Sequence, residues 1–373
     1  MIYLDSAATS LYKPETVQTA VLEALNTMTS PGRGGHEAAL RASECCYSCR
    51  EALAELFHVP SPEQVVFTFN ATHALNIAIR SLVEKGTRVL ISGYEHNSVT
   101  RPLYSIGADV RILDTPLFDR DAFLNLAREQ IRWADVVVCT HVSNVFGYIL
   151  PLEEFAQMCR ETGVPLIVDA SQSAGILDFN FAALGAAFAA MPGHKGLMGP
   201  QGTGVLLCKN DAKPLLYGGS GSASLLPGMP EFLPDRLEAG THNVTGIAGL
   251  LASVRYLQNI GCAEVRRKER ALLERFMEGL HGCEGLRTFF TDDPDAQCGV
   301  LSAVQERMDC ERFAEVLERN GVAVRSGLHC APTAHRTVGT LEHGTVRFSF
   351  SPFNTAAQVD RAAEICKNIM KNS

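Results

Sequence analysis

Short apolar runs alternate with amphipathic stretches through the first two thirds of the chain. The apolar runs predict strands and the amphipathic stretches predict helices. The predicted strands are 65–69, 88–92, 110–113, 136–140, 166–169, 188–191 and 204–208, and the helices between them include 71–83, 121–131 and 152–162. Continuous apolar runs such as Val136-Val137-Val138 are typical of strands buried on both faces. The pattern therefore predicts an α/β protein with a mostly parallel, seven-stranded sheet and helices on both of its faces.

The pattern changes after about residue 250. A long charged helix is predicted over 263–280, and short strands and a final helix over 354–370 follow it. We find no internal repeat and no low-complexity linker between the two parts. We therefore expect a large domain over 15–250 and a smaller α+β domain, formed by 1–14 together with 251–373.

Composition narrows the class of protein. The 373 residues are 46% hydrophobic, which is enough for a large core, and the net charge of -8 without a basic stripe argues against nucleic acid as a partner. The first residues carry no signal-like segment, and no apolar run is long enough to cross a bilayer. Twelve cysteines without a secretory signal indicate free thiols in a reducing compartment. We expect a soluble cytoplasmic protein with no nucleic-acid or membrane partner and no bound metal.

Two residues at strand ends indicate the chemistry. Asp169 ends the predicted strand 166–169, and Lys195 lies in the Gly/Pro-rich turn 191–196 that follows another strand. This pair suits pyridoxal 5'-phosphate (PLP), because the lysine forms a Schiff base and the aspartate pairs with the protonated pyridine nitrogen, so the ring acts as an electron sink. Alone, a lysine in a Gly-rich turn is usually a solvated surface group, and an aspartate at a strand end is often a helix cap. Together they indicate a PLP site.

Two threonine-containing segments are candidates for binding the phosphate. The segment around Ala71 and Thr72 runs from a strand into a helix, where backbone N–H groups, the helix dipole and a hydroxyl favour an anion. The other interpretation of Thr72 is a simple helix cap. Thr241 is a second candidate contact, which would reach the site from another subunit.

Three polar residues are candidates for holding the ring. His96 follows the predicted strand 88–92 and is placed to stack on the ring or to shuttle protons. Asn144 and Gln172 follow two further strands and are placed to hydrogen-bond the phenolic oxygen. All three come just after strand C-terminal ends, where open α/β sheets bind their ligands.

These segments together resemble the class V aminotransferase superfamily, and more narrowly the cysteine desulfurases. The matching segments are Tyr3-Leu4-Asp5-Ser6-Ala7-Ala8-Thr9, Glu95-His96, Ser143-Asn144, Val168-Asp169-Ala170-Ser171-Gln172 and Gly193-His194-Lys195. The resemblance covers the chain from Tyr3 to the final helix. It implies the aspartate aminotransferase-like type I fold of PLP enzymes, a homodimer, Lys195 as Schiff-base lysine and His96 as acid/base. The cofactor contacts that it implies are Ala71, Thr72, His96, Asn144, Asp169, Gln172, His194, Lys195 and Thr241.

Two late segments indicate the branch of that family. Segment 324–331 resembles the one that carries a sulfur-accepting cysteine, in the R-[ST]-G-x-H-C-A form that selenocysteine lyase-like enzymes share. Segment 345–349 resembles the strand whose arginine binds the substrate carboxylate through a planar, bidentate fork. The resemblance implies that Cys330 accepts sulfur and that Arg325, Arg347 and Asn144 bind substrate.

The reaction that this resemblance implies converts L-cysteine to L-alanine and leaves a persulfide on Cys330, which passes sulfur to an acceptor protein. The alternatives are a selenocysteine lyase acting on L-selenocysteine, and a class V aminotransferase or C–S lyase in which Cys330 is an inert small hydrophobe. The thiol needs a proton acceptor, for which His96 and the amine of the substrate both qualify. The acceptor and the preference for sulfur or selenium stay open.

One residue departs from the family pattern, and one further segment resembles part of it. Pro192 stands where many relatives carry a Ser or Thr that helps to hold the phosphate, and proline supplies neither a hydroxyl nor an N–H. We therefore expect that contact to be absent. The Gly-rich segment 32–36 resembles the substrate-entry segment of the family, in which Arg33 or His36 would face the site of the partner subunit.

A cysteine cluster invites a redox or metal interpretation. Cys46 and Cys49 form a CxxC pair, and Cys45 shares a helix face with Cys49. A structural zinc site needs four ligands, and the chain has no second CxxC. We therefore expect helical cysteines packed in or near a core.

Overall fold

A computed structural model of the chain describes residues 1–32, 34–209 and 212–371. The α-helices are α1 Glu15–Thr27, α2 Glu37–Leu56, α3 Ala71–Leu82, α4 Asn97–Ile106, α5 Arg120–Gln130, α6 Leu152–Thr162, α7 Phe181–Leu184, α8 Val244–Ile260, α9 Cys262–Gly279, α10 Cys310–Arg319, α11 Pro332–Val338 and α12 Ala356–Lys371. The strands are β1 Ile2–Tyr3, β2 Val65–Thr68, β3 Arg88–Ser92, β4 Asp109–Leu113, β5 Val136–Thr140, β6 Leu166–Asp169, β7 Phe188–Pro192, β8 Gly204–Cys208, β9 Leu286–Phe289, β10 Val300–Gln305, β11 Val322–Ala323, β12 Arg325–Gly327 and β13 Thr345–Ser349.

The large sheet confirms the predicted α/β fold. Its seven strands follow the order β2-β8-β7-β6-β5-β3-β4. The strand pairs from β7 through β6, β5 and β3 to β4 are parallel, whereas β8 pairs antiparallel with both β7 and β2. Every residue of β5 is buried, as expected for a strand with helices on both faces. One antiparallel strand therefore interrupts an otherwise parallel sheet.

Three clusters of buried side chains form most of the core. Two contain residues of the large sheet and of the helices that flank it, and the third joins Leu4 to apolar residues from Leu273 onwards. We propose that this third cluster is the core of the small domain. Helix α8 runs across the predicted boundary at residue 250, and its buried side chains belong to the first cluster. We propose that the boundary lies at Gly261, between α8 and α9.

The second sheet brings two arginines together. Strands β12, β13, β10 and β9 form an antiparallel sheet in that order, and β1 pairs with β11 nearby. Arg325 on β12 and Arg347 on β13 are direct cross-strand partners. Side chains of such partners project from the same face of a sheet. The sheet therefore presents two guanidinium groups side by side.

The cysteine cluster on α2 lies in the core. Cys45, Cys46 and Cys49 are buried, and Cys49 is fully inaccessible. Burial raises the pKa of Cys46 to about 12 and raises the pKa of Cys49 well above that of a free thiol. Within the described residues, no group of three or more His, Cys, Asp or Glu side chains is arranged to hold a metal ion. No described helix is long and apolar enough to span a membrane.

Candidate active site

A polar cavity of about 110 Å³ lies at the carboxyl edge of the large sheet. The loops that follow β3, β5, β6 and β7 meet there because these strands are parallel neighbours. The cavity is lined by Asn70, Ala71, Thr72, His96, Ser98, Thr140, Val142, Asn144, Asp169, Ser171, Gln172, Pro192, His194 and Lys195. The fold therefore brings together every predicted cofactor contact except Thr241.

Asp169 and Lys195 reach the cavity from adjacent strands. Asp169 ends β6 and is 2% exposed, and its Oδ1 accepts a hydrogen bond of 2.9 Å from the backbone N–H of Ser171. Lys195 follows β7 in a turn that presses against the segment after β6. A β-carbon at Gly196 would lie 2.4 Å from the carbonyl oxygen of Ala174, so only glycine fits beside the lysine.

The surroundings of the cavity favour the neutral forms of the Lys195 amine and the His194 ring. The pKa of Lys195 is lowered to about 8, mainly by burial and in part by the charges of Arg347 and Arg325, while Asp169 opposes the shift. Burial likewise lowers the pKa of His194 to about 4. The Lys195 amine therefore gives up its proton more readily than an ordinary lysine.

Two helices point their N-terminal ends at the cavity. Helix α3 begins at Ala71, and Asn70 caps it by accepting a hydrogen bond of 2.9 Å from the N–H of His73. Helix α4 begins one residue after His96, which is its cap. Because free N–H groups and the helix dipole favour negative charge at such ends, the cavity suits an anion.

The hydrogen bonding of His96 determines which of its ring nitrogens carries the proton. Its Nδ1 accepts a hydrogen bond of 3.0 Å from the backbone N–H of Ser98, so we assign the proton of the neutral ring to Nε2. Burial lowers the pKa of His96 to about 4, and Lys195 and Arg325 act in the same direction against Asp169. His96 is therefore neutral at pH 7 and offers an N–H donor at Nε2.

Asn144 and Gln172 are held by backbone groups of other segments. Nδ2 of Asn144 donates to the carbonyl oxygen of His329 at 2.8 Å, while its Oδ1 is buried without a partner among the described residues. Nε2 of Gln172 donates to the carbonyl oxygen of Ala7 at 3.0 Å. Asn144 thus links the cavity to the segment that carries Cys330.

Arg347 is buried beside the cavity, with 1% of its surface exposed. Its Nη2 forms an ion pair of 2.8 Å with Oδ1 of Asp5, and its Nη1 donates to the carbonyl oxygen of Asn144 at 2.9 Å. Its Nε has no partner among the described residues. Burial lowers the pKa of Arg347, against the opposing charge of Asp5.

Cys330 is exposed on a short, tightly held turn. The turn has left-handed backbone at two successive residues, His329 (φ 48°) and Cys330 (φ 57°). The ring of His329 is buried with Nε2 within 3.1 Å of the carbonyl oxygen of Thr345, and the carbonyl oxygen of Cys330 accepts from the N–H of Asn97 at 2.7 Å. The thiol lies 4.0 Å from Nη2 of Arg325. The structure therefore joins the cysteine turn to both β13 and α4.

Thr241 lies outside the cavity of its own chain and is exposed. Its segment is anchored by Glu238, which is buried in a bidentate ion pair with Arg50 at 2.6 and 2.8 Å and accepts a third contact of 2.9 Å from His242. The charge of Arg50 lowers the pKa of Glu238 to about 2 despite the burial. Thr241 is therefore held in a defined position at the surface.

Three residues at or beside the site were not predicted as site residues from the sequence. Ser98 lines the cavity, Asp5 pairs with Arg347, and Glu95 is fully buried beside the strand ends with a pKa that burial raises to about 8. No sequence signal distinguishes Ser98 from an ordinary helix serine.

His36 is the cap residue of α2, and Arg33 lies outside the described residues.

Comparison with known proteins gives one consistent family. A model of the aminotransferase class V family matches residues 2–362. A probable cysteine desulfurase from Methanothermobacter thermautotrophicus is 33% identical, over 99% of this chain and 94% of the relative. The apo structure of a cysteine desulfurase from Thermococcus onnurineus superposes with a TM-score of 0.92 at 31% identity, over 100% of this chain and 95% of that one. A cysteine desulfurase from Escherichia coli superposes with a TM-score of 0.86 at 28% identity, with the same coverage.

Proposed function

The chain belongs to the class V aminotransferase family, and we propose that it is a PLP-dependent cysteine desulfurase that accepts sulfur from L-cysteine on Cys330. The observation that carries this proposal is the position of Cys330. It is exposed, yet its own turn is tied to Asn144, which lines the cavity that holds Lys195 and Asp169. A thiol that merely filled space would not need this connection.

The cavity fits PLP by the chemistry of its walls. The N-termini of α3 and α4 and the hydroxyl of Thr72 suit the phosphate, and buried Asp169 suits a protonated pyridine nitrogen. The buried Oδ1 of Asn144, which lacks a partner among the described residues, is a polar atom left for a ligand. When bound, PLP supplies an electron sink that acidifies the Cα–H bond of an amino acid.

Lys195 carries the cofactor and acts as the base. Its lowered pKa of about 8 leaves a larger neutral fraction at physiological pH than an ordinary lysine has. Neutral His96 donates from Nε2, so it is suited to hold or give a proton and less suited to take one. The amine of the substrate is therefore the better acceptor for the thiol proton.

Arg325 and Arg347 bind the carboxylate of the substrate. Two neighbouring guanidinium groups create a positive site, and only Arg347 has an acidic partner, Asp5, among the ion pairs of the described residues. The unused Nε of Arg347 is a buried donor that an incoming carboxylate can satisfy. A carboxylate bound here would lie close to the cysteine turn, because Nη2 of Arg325 is 4.0 Å from Sγ of Cys330.

Sulfur transfer then takes place at Cys330. Its thiolate Sγ bonds to the sulfur of the substrate while the Cβ–Sγ bond of the substrate breaks. The carbon that loses sulfur gains a proton, which yields alanine, and Cys330 becomes a persulfide. Because Cys330 is exposed, an external thiol can remove the outer sulfur, and we propose that an acceptor protein does so.

The proposal includes a homodimer in the cytoplasm. Thr241 is fixed at the surface away from its own cavity, which suits a phosphate contact made to a partner subunit. Large apolar side chains are exposed nearby in sequence, including Tyr217, Leu225 and Phe232. All twelve cysteines are free thiols, which suits a reducing compartment.

A paired assay tests the function. Wild type and Cys330→Ala are incubated with L-cysteine and a reductant, and alanine and sulfide are measured. We expect both products from wild type and neither from Cys330→Ala, although that variant keeps the absorbance of bound PLP. Cys283→Ala, which removes a half-buried thiol outside the site, should retain wild-type activity. If Cys330→Ala is as active as wild type, the sulfur-relay proposal is wrong and the chain is a C–S lyase or aminotransferase.

A further inference from the structure

Ser98 occupies a central position in the hydrogen bonding of the cavity. Its hydroxyl oxygen lies 2.8 Å from Oγ1 of Thr72, at the start of α3, and 3.0 Å from Nδ1 of His96. The residue lies in the first turn of α4 and lines the same cavity as both neighbours. One serine therefore joins the helix end that suits the phosphate to His96, the proposed ring contact.

The backbone N–H of Ser98 already satisfies Nδ1 of His96. The hydroxyl proton of Ser98 is therefore available for Oγ1 of Thr72. A threonine hydroxyl that accepts a hydrogen bond can still donate its own proton to a further acceptor. In such a chain of hydrogen bonds, each bond polarises the next and strengthens it. This arrangement leaves Thr72 as a donor directed at an anion in the cavity.

The rest of the cavity wall explains why this donor matters. Ala71, the first residue of α3, has no side-chain donor, and Pro192 has neither a side-chain donor nor an N–H. Both residues line the cavity. Thr72 and Ser98 are thus the two cavity-lining hydroxyls that lie in the first turns of α3 and α4, where the phosphate is proposed to bind.

We propose that Ser98 is a positioning residue for the cofactor phosphate, acting through Thr72, and that its hydroxyl compensates for the donors absent at Ala71 and Pro192. This inference rests on the binding of PLP in the proposed function. It does not depend on Cys330 or on desulfuration, so it is tested by cofactor binding rather than by turnover.

The test measures the dissociation constant of PLP for the full-length protein after removal of the cofactor, by titration of the PLP absorbance. We expect Ser98→Ala to weaken PLP binding about tenfold, the change expected for loss of one hydrogen bond that supports a charged group. Ser98→Thr keeps the hydroxyl and should bind within about threefold of wild type. Thr100→Ala removes a hydroxyl from the same helix outside the cavity and should leave binding unchanged.

A double substitution tests whether Ser98 acts through Thr72. In a Thr72→Val background, Ser98→Ala should weaken PLP binding little further, because the hydroxyl that it supports is already gone. The ³¹P resonance of bound PLP should move in Ser98→Ala and stay in place in Thr100→Ala. Circular dichroism of the cofactor-free variants should match wild type, which separates lost binding from lost folding.

Three results would overturn the inference. The first is PLP binding by Ser98→Ala at wild-type strength, and the second is equal weakening in Ser98→Ala and Thr100→Ala, which would indicate a general effect on the helix. The third is equal weakening in Ser98→Thr and Ser98→Ala with an unmoved ³¹P resonance, which would assign the effect to packing. Failure of the alanine and sulfide assay with intact PLP binding would reject the desulfurase proposal alone.

Discussion

Arg325 and Arg347 are direct cross-strand partners on β12 and β13. Like charges placed opposite each other destabilise a sheet, so their pairing indicates a binding requirement. Asp5 offsets one of the two charges through its ion pair with Arg347. The remaining positive charge, that of Arg325, lies 4.0 Å from the Cys330 thiol.

Arg347→Lys should therefore lower kcat/KM for L-cysteine by at least about tenfold, because an ammonium cannot reproduce the planar fork of arginine. The absorbance of bound PLP should persist, since Arg347 is not among the residues that line the cofactor cavity. Steady-state kinetics of alanine release measure the effect. Wild-type kcat/KM in this variant would exclude Arg347 from carboxylate binding.

Loss of Asp5 should destabilise the fold. Asp5→Ala leaves the buried Arg347 guanidinium without its acidic partner, and we expect the free energy of unfolding to fall by about 3 kcal/mol. Asp360→Ala is the matched control, because it breaks the solvent-exposed pair with Arg275, which water screens, and should leave the free energy of unfolding nearly unchanged. Urea denaturation of the two variants compares them. Equal losses would show that burial of the Asp5 pair has no energetic consequence.

The rate at which PLP attaches to Lys195 should depend on pH through the lysine amine. Only the neutral amine reacts, and its pKa is lowered to about 8, so the rate should rise as pH passes through 8. Asp169 opposes that shift and Arg347 reinforces it. Asp169→Asn should therefore move the midpoint to lower pH, and Arg347→Met should move it to higher pH. Stopped-flow absorbance gives the midpoints, and shifts of the same sign in both variants would contradict the assignment.

Thiol reactivity should follow burial. Cys330 is exposed, whereas Cys46 and Cys49 are buried with raised pKa values, and only thiolates react quickly with iodoacetamide. We expect Cys330 to be alkylated first in the folded protein and Cys46 and Cys49 to react only after denaturation. Peptide mass spectrometry after timed quenching follows each site. Early alkylation of Cys46 or Cys49 would show that α2 opens in the native state.

Pro192→Ser should strengthen PLP binding several-fold, because serine adds a hydroxyl and an N–H to the wall of the cofactor cavity. The gain should be larger in a Ser98→Ala background, where the phosphate has fewer donors. Titration of the cofactor-free proteins with PLP measures both gains. Unchanged affinity in both backgrounds would place residue 192 out of reach of the phosphate.

The pattern of hydrophobic and polar positions predicted much of this fold, because strands and their ends are marked by short segments of sequence. Fully buried strands such as β5 read as unbroken apolar runs, and strand ends place Asp169 and Lys195 at one edge of a parallel sheet. The reversed direction of β8 was not predicted, since an apolar run of five residues carries no direction. Buried strands of either orientation present the same pattern.

Long-range partners within the site could not be predicted in the same way. Asp5 and Arg347 are 342 positions apart, and no local pattern marks either as the partner of the other. Ser98 resembles any first-turn serine until the fold brings Thr72 to within 2.8 Å of it. The proposed contact of Thr241 lies on a partner subunit, and no local pattern in its own segment marks such a contact.

The central claim is that Cys330 carries the sulfur. After one turnover with L-cysteine, the protein is alkylated and digested, and its cysteine peptides are weighed by mass spectrometry. We predict one additional sulfur atom on the Cys330 peptide, removed by a reductant, with the Cys283 peptide unchanged and one alanine released per modified chain. Alanine released without extra sulfur on Cys330, or sulfur carried by another cysteine, would contradict the account.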